Sequence, residues 1–431
     1  MMTYNQALNY IHGIERFGSK LGLETITELL NRLGNPQNSL KVVHIAGTNG
    51  KGSVSNICAN ALTASGFQTG LFISPFVEDF RERIQVCGVH IGKSELAKLT
   101  VKVKKASLQM VKDGFRHPTE FEFITALALL HFQQKKCEYA VLEVGMGGRL
   151  DSTNIVPKPE VTIIMSISFD HCQYLGDTLD KIAYEKAGII KSGVPCVVYP
   201  IQEKAVLDVI RKKAEEEGAP VIFPDTAKLT VKKTSVFGNE FAYDAFKSVT
   251  TKLGGKHQVY NAITAMEALR LLGIEPRAVL EGVQNTKFES RLEVVCRHPA
   301  ILIDGAHNVS GMQALCNAVS NEGKKAIFIC AMLKDKEYDA CMKLVSRCAK
   351  LLITARCDNI RALSGAELAR TGKQYLHNVI ACEHIEDAVD TALSYADEDD
   401  FIVICGSLYM TGEAKKIVVK KLKIDKKSQR K

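Results

Sequence analysis

Seven residues, Gly47-Thr48-Asn49-Gly50-Lys51-Gly52-Ser53, stand between the apolar run Val42-Val43-His44-Ile45-Ala46 and a helix-like stretch that begins at Val54. A strand that feeds a glycine-rich loop and then a helix commits the chain to an α/β layout, with ligand groups at the strand's carboxyl end. The glycines let the backbone close on an anion so that successive N–H groups point at phosphate oxygens. The helix N-terminus adds positive potential, Lys51 adds a mobile charge, and Ser53 offers a hydroxyl to Mg²⁺. The pattern predicts an ATP site. It departs from the strict P-loop spacing, whose first glycine would fall at Ile45 and whose hydroxyl residue would directly follow Lys51, where Gly52 stands. A glycine turn with a chance lysine is the plainer alternative.

Further buried-strand runs follow at Gly70-Leu71-Phe72-Ile73, Tyr139 to Val144, Val161 to Ile167 and Cys196 to Tyr199, with helical spacing between them near 54–65, 93–113, 120–135, 178–190 and 203–217. Continuous apolar strands separated by helices predict a mostly parallel sheet buried on both faces. Residues 226–256 alternate Thr, Val, Lys and Phe and read as antiparallel edge strands. After a helix over 259–272 and a linker-like stretch Lys287 to Leu292, five more short apolar runs alternate with helices. The expected organisation is an N-terminal P-loop-type sheet domain over 1–295 and a smaller Rossmann-like α/β domain over 296–431.

A chain of 431 residues exceeds what one core serves well, which agrees with two domains. No apolar run reaches the ~18 residues a membrane helix needs, and no leader is visible at the N-terminus. Thirteen cysteines without a C-x-x-C pair read as reduced core residues, so the expected location is cytoplasmic. The net charge of +8 gathers in the tail, at Lys415, Lys416, Lys420, Lys421, Lys423, Lys426, Lys427, Arg430 and Lys431, opposed there by Asp425. That cluster reads as a frayed, solvated terminus. Nucleic-acid binding is not expected, because the tail after Tyr409 has no aromatic residue to stack on bases.

Chemistry should collect at the carboxyl ends of the strands. Lys51 and Ser53 follow the first strand, Ser74 the second, Glu143 ends the third, and Asp170-His171 follow the fourth. Hydroxyl and carboxylate oxygens suit Mg²⁺, and a histidine suits it less well. In the second domain Asp304-Gly305-Ala306-His307-Asn308 closes a strand, either as a site or as a glycine turn with an Asx cap. Arg291, in the linker, is either a phosphate ligand or a surface arginine.

Together these stretches resemble the folylpolyglutamate synthase/dihydrofolate synthase family, within the Mur ligase group of ATP-dependent amide-forming enzymes. The resemblance runs from Lys20-Leu21-Gly22-Leu23 through His44 to Ser53, Ser74-Pro75-Phe76, Glu82-Arg83-Ile84, Thr119 to Glu122, Leu142 to Asn154, Asp170-His171 and Glu185 to Ile189. It continues through His257 to Asn261, Arg291-Leu292-Glu293, Asp304 to Asn308 and Gly406 to Tyr409. It implies that Gly47, Thr48, Asn49, Gly50, Lys51, Gly52 and Ser53 hold ATP, and that Ser53, Ser74, Glu143 and His171 hold Mg²⁺, expected as two ions. Asn261, Arg291 and Asp304 match residues for the base, phosphate and ribose, His307 one beside the reacting groups, and Lys186 a lysine carbamylated in some members.

The reaction so implied transfers phosphate from ATP to a carboxylate and lets L-glutamate attack the acyl phosphate. The acceptor is the γ-carboxyl of a reduced folate or the carboxyl of dihydropteroate, and the enzyme is expected to act as a monomer. A muramyl-peptide ligase of the same group and a nucleotide-gated binding protein with a basic tail are the rivals.

Overall fold

The computed structural model of the chain describes residues 2–14 and 22–423. Lys20 and Leu21 of the Lys20-Leu21-Gly22-Leu23 stretch, and Asp425, Lys426, Lys427, Arg430 and Lys431 of the tail, lie outside the described residues. The chain divides into two compact units, Met1–Lys228 with Tyr260–Thr286, and Leu229–Val259 with Lys287–Lys431.

The first unit is built on an eight-stranded sheet of β1 (Lys41–Ala46), β2 (Thr69–Phe72), β3 (Ile84–Val86), β4 (Val89–His90), β5 (Tyr139–Glu143), β6 (Val161–Ile164), β7 (Cys196–Val198) and β8 (Val221–Ile222). Their order is β4-β3-β2-β5-β1-β6-β7-β8, parallel except for the β2-β3-β4 meander. β5 and β6 are buried at every residue and β1 at all but Lys41, as helices on both faces require. One face closes on Phe72, Phe123, Phe132 and Leu142, the other on Ala46, Val144, Ile164 and Val198. Each of the larger side chains contributes about 1.5–3 kcal/mol on burial. Close packing demands a glycine at position 70, where a Cβ would stand 2.6 Å from the Phe132 ring.

The second unit holds two sheets. β9 (Leu229–Ser235), β10 (Gly238–Tyr243) and β11 (Phe246–Thr251) form an antiparallel sheet of their own, not an edge of the large sheet as their alternation suggested. Val236, at the turn after β9, is buried with Met312 and Leu315 of this unit. The other sheet comprises β12 (Glu293–Arg297), β13 (Ala300–Ile303), β14 (Ala326–Cys330), β15 (Ala349–Thr354), β16 (Val379–Ala381) and β17 (Phe401–Cys405). It runs β12-β13-β17-β14-β15-β16 and is parallel apart from β12. Residue 295 falls inside β12, so the linker-like stretch 287–292 is where the chain returns to this unit.

The basic tail departs from expectation. Lys415, Lys416, Lys420 and Lys421 lie in the helix Leu408–Lys421, which is packed on β17. Lys415 is buried and paired with Glu289 and Glu293, and Lys421 pairs with Glu386 and Asp390. These lysines are structural, because Ala414 and Val418 of the same helix face the core and carry them against acidic neighbours. All thirteen cysteines are unpaired. Among the described residues no helix is long and apolar enough to cross a membrane.

Candidate active site

The strand order brings the expected residues to one edge of the large sheet. β2, β5, β1 and β6 are parallel neighbours, with Phe72 opposite Leu142, Ile45 opposite Glu143, and Ala46 opposite Ile164. Their carboxyl ends therefore present Ser74, Glu143, the glycine loop and the segment leading to Asp170-His171 side by side.

The loop is shaped by its glycines. Gly47 and Gly50 have φ of 148° and 87°, a region that side chains disfavour. Space closes the case, since a Cβ on Gly47 would come 2.6 Å from Met165 Cβ, and one on Gly50 would come 2.7 Å from Asn261 Oδ1. Asn261 is thereby placed beside the loop. The backbone N–H groups of Thr48 and Asn49 donate to Ser166 O at 2.8 and 3.3 Å, and the Thr48 hydroxyl donates to Ser168 O at 3.0 Å. The loop is thus tied to the chain leaving β6. Gly50 caps the helix Lys51–Ala64, whose first turn carries Gly52 and Ser53.

Two lysines converge on one loop carbonyl. Lys51 Nζ donates to Gly47 O at 3.1 Å and to Thr48 O at 3.2 Å, while Lys186 Nζ donates to the same Gly47 O at 2.9 Å. Burial, and then the neighbouring Lys51 charge, lower the Lys186 pKa to about 7. A neutral amine is therefore accessible near neutral pH.

Two of the residues expected to hold Mg²⁺, Ser53 and Glu143, offer buried oxygens that suit it. Ser53 Oγ is buried, with the residue 1% exposed, and has no hydrogen-bond partner. Such a group calls for a ligand. Glu143 is buried at the end of β5 and its Oε2 accepts the Ser74 N–H at 3.3 Å. His171 differs: its side chain is 46% exposed, its φ is 52°, and its Nε2 lies 3.9 Å from Asp170 Oδ1. Among the described residues no group of three or more His, Cys, Asp and Glu forms a cation cage. A cation held here would take hydroxyl and carboxylate oxygens from the protein and complete its shell with other oxygens.

Asp151 is a contributor that motif spacing did not single out. Its Oδ2 accepts the N–H groups of Gly145 and Met146, each at 3.0 Å, and its Oδ1 accepts those of Thr153 at 3.0 Å and the Thr153 hydroxyl at 2.6 Å. The start of the glycine run after Glu143 is thereby clamped. Gly145 also has Phe121 against its Cα, 2.5 Å from where a Cβ would stand. The signal in the sequence was an aspartate a few residues beyond glycines whose N–H groups need acceptors.

In the second unit, Asp304 follows β13 and is buried. Its Oδ2 accepts the Leu292 N–H and its Oδ1 the Ala306 N–H, both at 2.8 Å. Burial raises its pKa, against the Arg291 charge and these donors. His307 Nδ1 lies 2.8 Å from Gly305 O, and Asn308 caps the helix Val309–Ser320 by accepting the Gly311 N–H. Both local roles, an Asx turn and a cap, are thus present. The Arg291 guanidinium donates to Ser290 O at 3.0 Å and stacks on the Phe288 ring at 5.2 Å. Burial and that guanidinium hold the His257 pKa down at about 4.

Comparison with known proteins agrees with this arrangement. The Mur ligase middle domain matches residues 45–269, and the Mur ligase glutamate ligase domain matches 290–408. The chain is 34% identical to the dihydrofolate synthase/folylpolyglutamate synthase of Bacillus subtilis, covering 96% of this chain and 99% of that one. It superposes on Mycobacterium tuberculosis folylpolyglutamate synthase complexed with ADP at a TM-score of 0.88 and 28% identity, over 95% and 98% of the two chains. For Escherichia coli FolC in complex with DHPP and ADP the TM-score is 0.85 at 26% identity, over 96% and 98%. With its glycine loop, its strand-end oxygens and both domains matched, the chain belongs to the folylpolyglutamate synthase/dihydrofolate synthase family of the Mur ligases, which are ATP-dependent ligases.

Proposed function

We propose that the chain joins L-glutamate to the γ-carboxyl of a reduced folate. The observation that carries this reading is the buried, unpartnered Ser53 Oγ in a glycine loop that shares a sheet edge with Glu143 and Ser74. That is a place for a nucleotide triphosphate and its cation. The acceptor carboxylate attacks the γ-phosphorus, the bond to the bridging oxygen breaks and ADP leaves. The amine nitrogen of glutamate then attacks the acyl carbon, the carbon–oxygen bond to phosphate breaks, and the nitrogen gives up a proton. Bound at Ser53, Ser74, Glu143 and His171, Mg²⁺, as two ions, would supply charge neutralisation on the phosphates.

The residues do the positioning. Lys51 leaves the Gly47 and Thr48 carbonyls to follow the charge on the transferring phosphoryl group. Gly47, Thr48, Asn49, Gly50 and Gly52 surround the phosphates with backbone. Asn261, Arg291 and Asp304 are assigned to base, phosphate and ribose, and His307 to the reacting groups. Lys186, with a pKa of about 7, offers the unprotonated amine that carbamylation needs, and the carbamate would add an anionic oxygen. Functional work is divided between the two units, Met1–Lys228 with Tyr260–Thr286, and Leu229–Val259 with Lys287–Lys431. The protein acts as a monomer, and its unpaired cysteines suit the cytoplasm.

A bifunctional enzyme that also converts dihydropteroate to dihydrofolate is the second reading, favoured by the double name of the Bacillus subtilis relative. ADP release is to be measured with L-glutamate and, in parallel, tetrahydrofolate, dihydropteroate or a muramyl-peptide precursor. Turnover with tetrahydrofolate is expected, and turnover with dihydropteroate as well selects the bifunctional reading. Turnover confined to the muramyl peptide, or none that depends on glutamate, sinks both.

A further inference from the structure

The segment Glu289-Ser290-Arg291-Leu292-Glu293 holds its arginine in an unusual backbone. Ser290 and Leu292, on either side of Arg291, have φ of 54° and 45°. Neither is a glycine, so both stand in the left-handed region against their own preference. A turn strained at two residues persists only where its surroundings over-determine it.

The surroundings are a set of hydrogen-bond partners and one cation. Leu292 N–H is taken by Asp304 Oδ2 at 2.8 Å, Ser290 O receives the Gly305 N–H at 2.8 Å, and Ser290 N–H goes to Glu293 Oε2 at 3.0 Å. The other Glu293 oxygen, Oε1, meets Lys415 Nζ at 2.8 Å, and Glu289 Oε1 meets the same ammonium at 3.2 Å. Lys415 side-chain exposure is 11%, so this ammonium is largely sheltered from water and screening salt. It joins the residues before and after the turn, which would otherwise set two carboxylates against each other.

We propose that Lys415 is a positioning residue for the ligase reaction: through Glu293 and Glu289 it locks the turn that presents Arg291. The inference rests on the reading of Arg291 as a nucleotide-phosphate ligand. It concerns a lysine that composition alone assigns to a solvated tail. If Lys415 acts through Arg291, its loss is felt in nucleotide binding and not merely in stability.

The test uses the full-length protein and four variants: Lys415→Met, Lys415→Arg, Arg291→Ala and the double variant Arg291→Ala/Lys415→Met. Calorimetric affinity for ADP, KM for ATP, kcat and melting temperature are measured for each. Lys415→Met is expected to weaken ADP binding and raise the KM for ATP by roughly tenfold, the scale of one lost charge-assisted contact. Lys415→Arg restores most of the loss, and the double variant binds ADP no more weakly than Arg291→Ala alone, since both remove one interaction.

Wild-type affinity and KM in Lys415→Met, with Arg291→Ala impaired, overturn the role of Lys415 alone. Additive losses in the double variant overturn it equally. Unchanged nucleotide binding in Arg291→Ala overturns the Arg291 reading, and the Lys415 proposal with it. If Lys415→Met does not fold, Glu293→Gln replaces it in every comparison, because the amide oxygen still accepts Ser290 N–H while the charge that Lys415 grips is gone.

Discussion

The glycine loop after β1 and the turn that carries Arg291 both hold residues in left-handed or unusual backbone, yet they do it by opposite means. The loop uses glycines, with Gly47 and Gly50 set against Met165 and Asn261. The turn uses ordinary residues, Ser290 and Leu292, and compels them with Asp304, Glu293 and Lys415. A shape made by glycines needs no partner to compel its backbone angles. A shape made by partners far along the chain depends on the whole unit.

The sharpest probe of the loop separates its charge from its shape. Lys51→Ala is expected to cost about 10²–10³ in kcat, as loss of one charge-stabilising group does, with the far-ultraviolet circular dichroism and melting curve intact. Near-normal turnover in that folded variant would remove Lys51 from the chemistry. Gly47→Ala should also lose turnover, and in addition lower unfolding free energy by about 1–3 kcal/mol, because an alanine there is strained. Denaturant titration reads this directly, and an unaltered midpoint would mean that the loop relaxes freely.

Glu143→Gln keeps the acceptor for Ser74 N–H but removes the negative charge. The Mg²⁺ concentration for half-maximal turnover should rise about tenfold, since an anionic ligand becomes neutral. An unchanged Mg²⁺ titration would make Glu143 a strand-end anchor for Ser74 and nothing more.

Lys186 predicts a pH dependence. Its folded pKa of about 7 lies below the ordinary 10.5, so between those values the unfolded chain binds more protons and stability from this group rises with pH. The slope approaches ~1.4 kcal/mol per pH unit within that window. Lys186→Met should flatten it in denaturant titrations across pH 7 to 9. Equal slopes in both proteins would place the wild-type pKa outside this range. The smallest effect is expected from ending the chain after Lys423, beyond the packed helix and its ion pairs. Turnover and melting temperature should stay within error, and a large fall in either would give the tail a docking role.

The large sheet was legible because its strands are continuous apolar runs, and the residues at the strand ends followed from parallel pairing. β3 and β4 were missed, being short, with β3 buried at Ile84 alone and β4 exposed. β12 was hidden for another reason: Glu293 and Arg297 make it look like linker, while antiparallel pairing with β13 makes it a strand. Lys415 was misread since charge density says nothing about a partner more than a hundred residues away. Asn261 was reachable through resemblance alone, and it took the fold to bring it to Gly50. His171 stays the least integrated of the expected cation ligands, exposed at the start of a short helix.

The meeting of Lys51 and Lys186 at the Gly47 carbonyl has a thermodynamic consequence. An incoming triphosphate favours the protonated form of any nearby amine, and Lys186 is held where its proton is only half bound near neutrality. With the triphosphate seated in this loop, uptake is expected to draw a proton from solution. The observed heat of binding should vary with the ionisation enthalpy of the buffer, and affinity should strengthen as pH falls through 7. Carbamylation would abolish both effects, because a carbamate has no such proton to gain. The buffer dependence of a binding heat thus reports on the chemical state of a buried side chain.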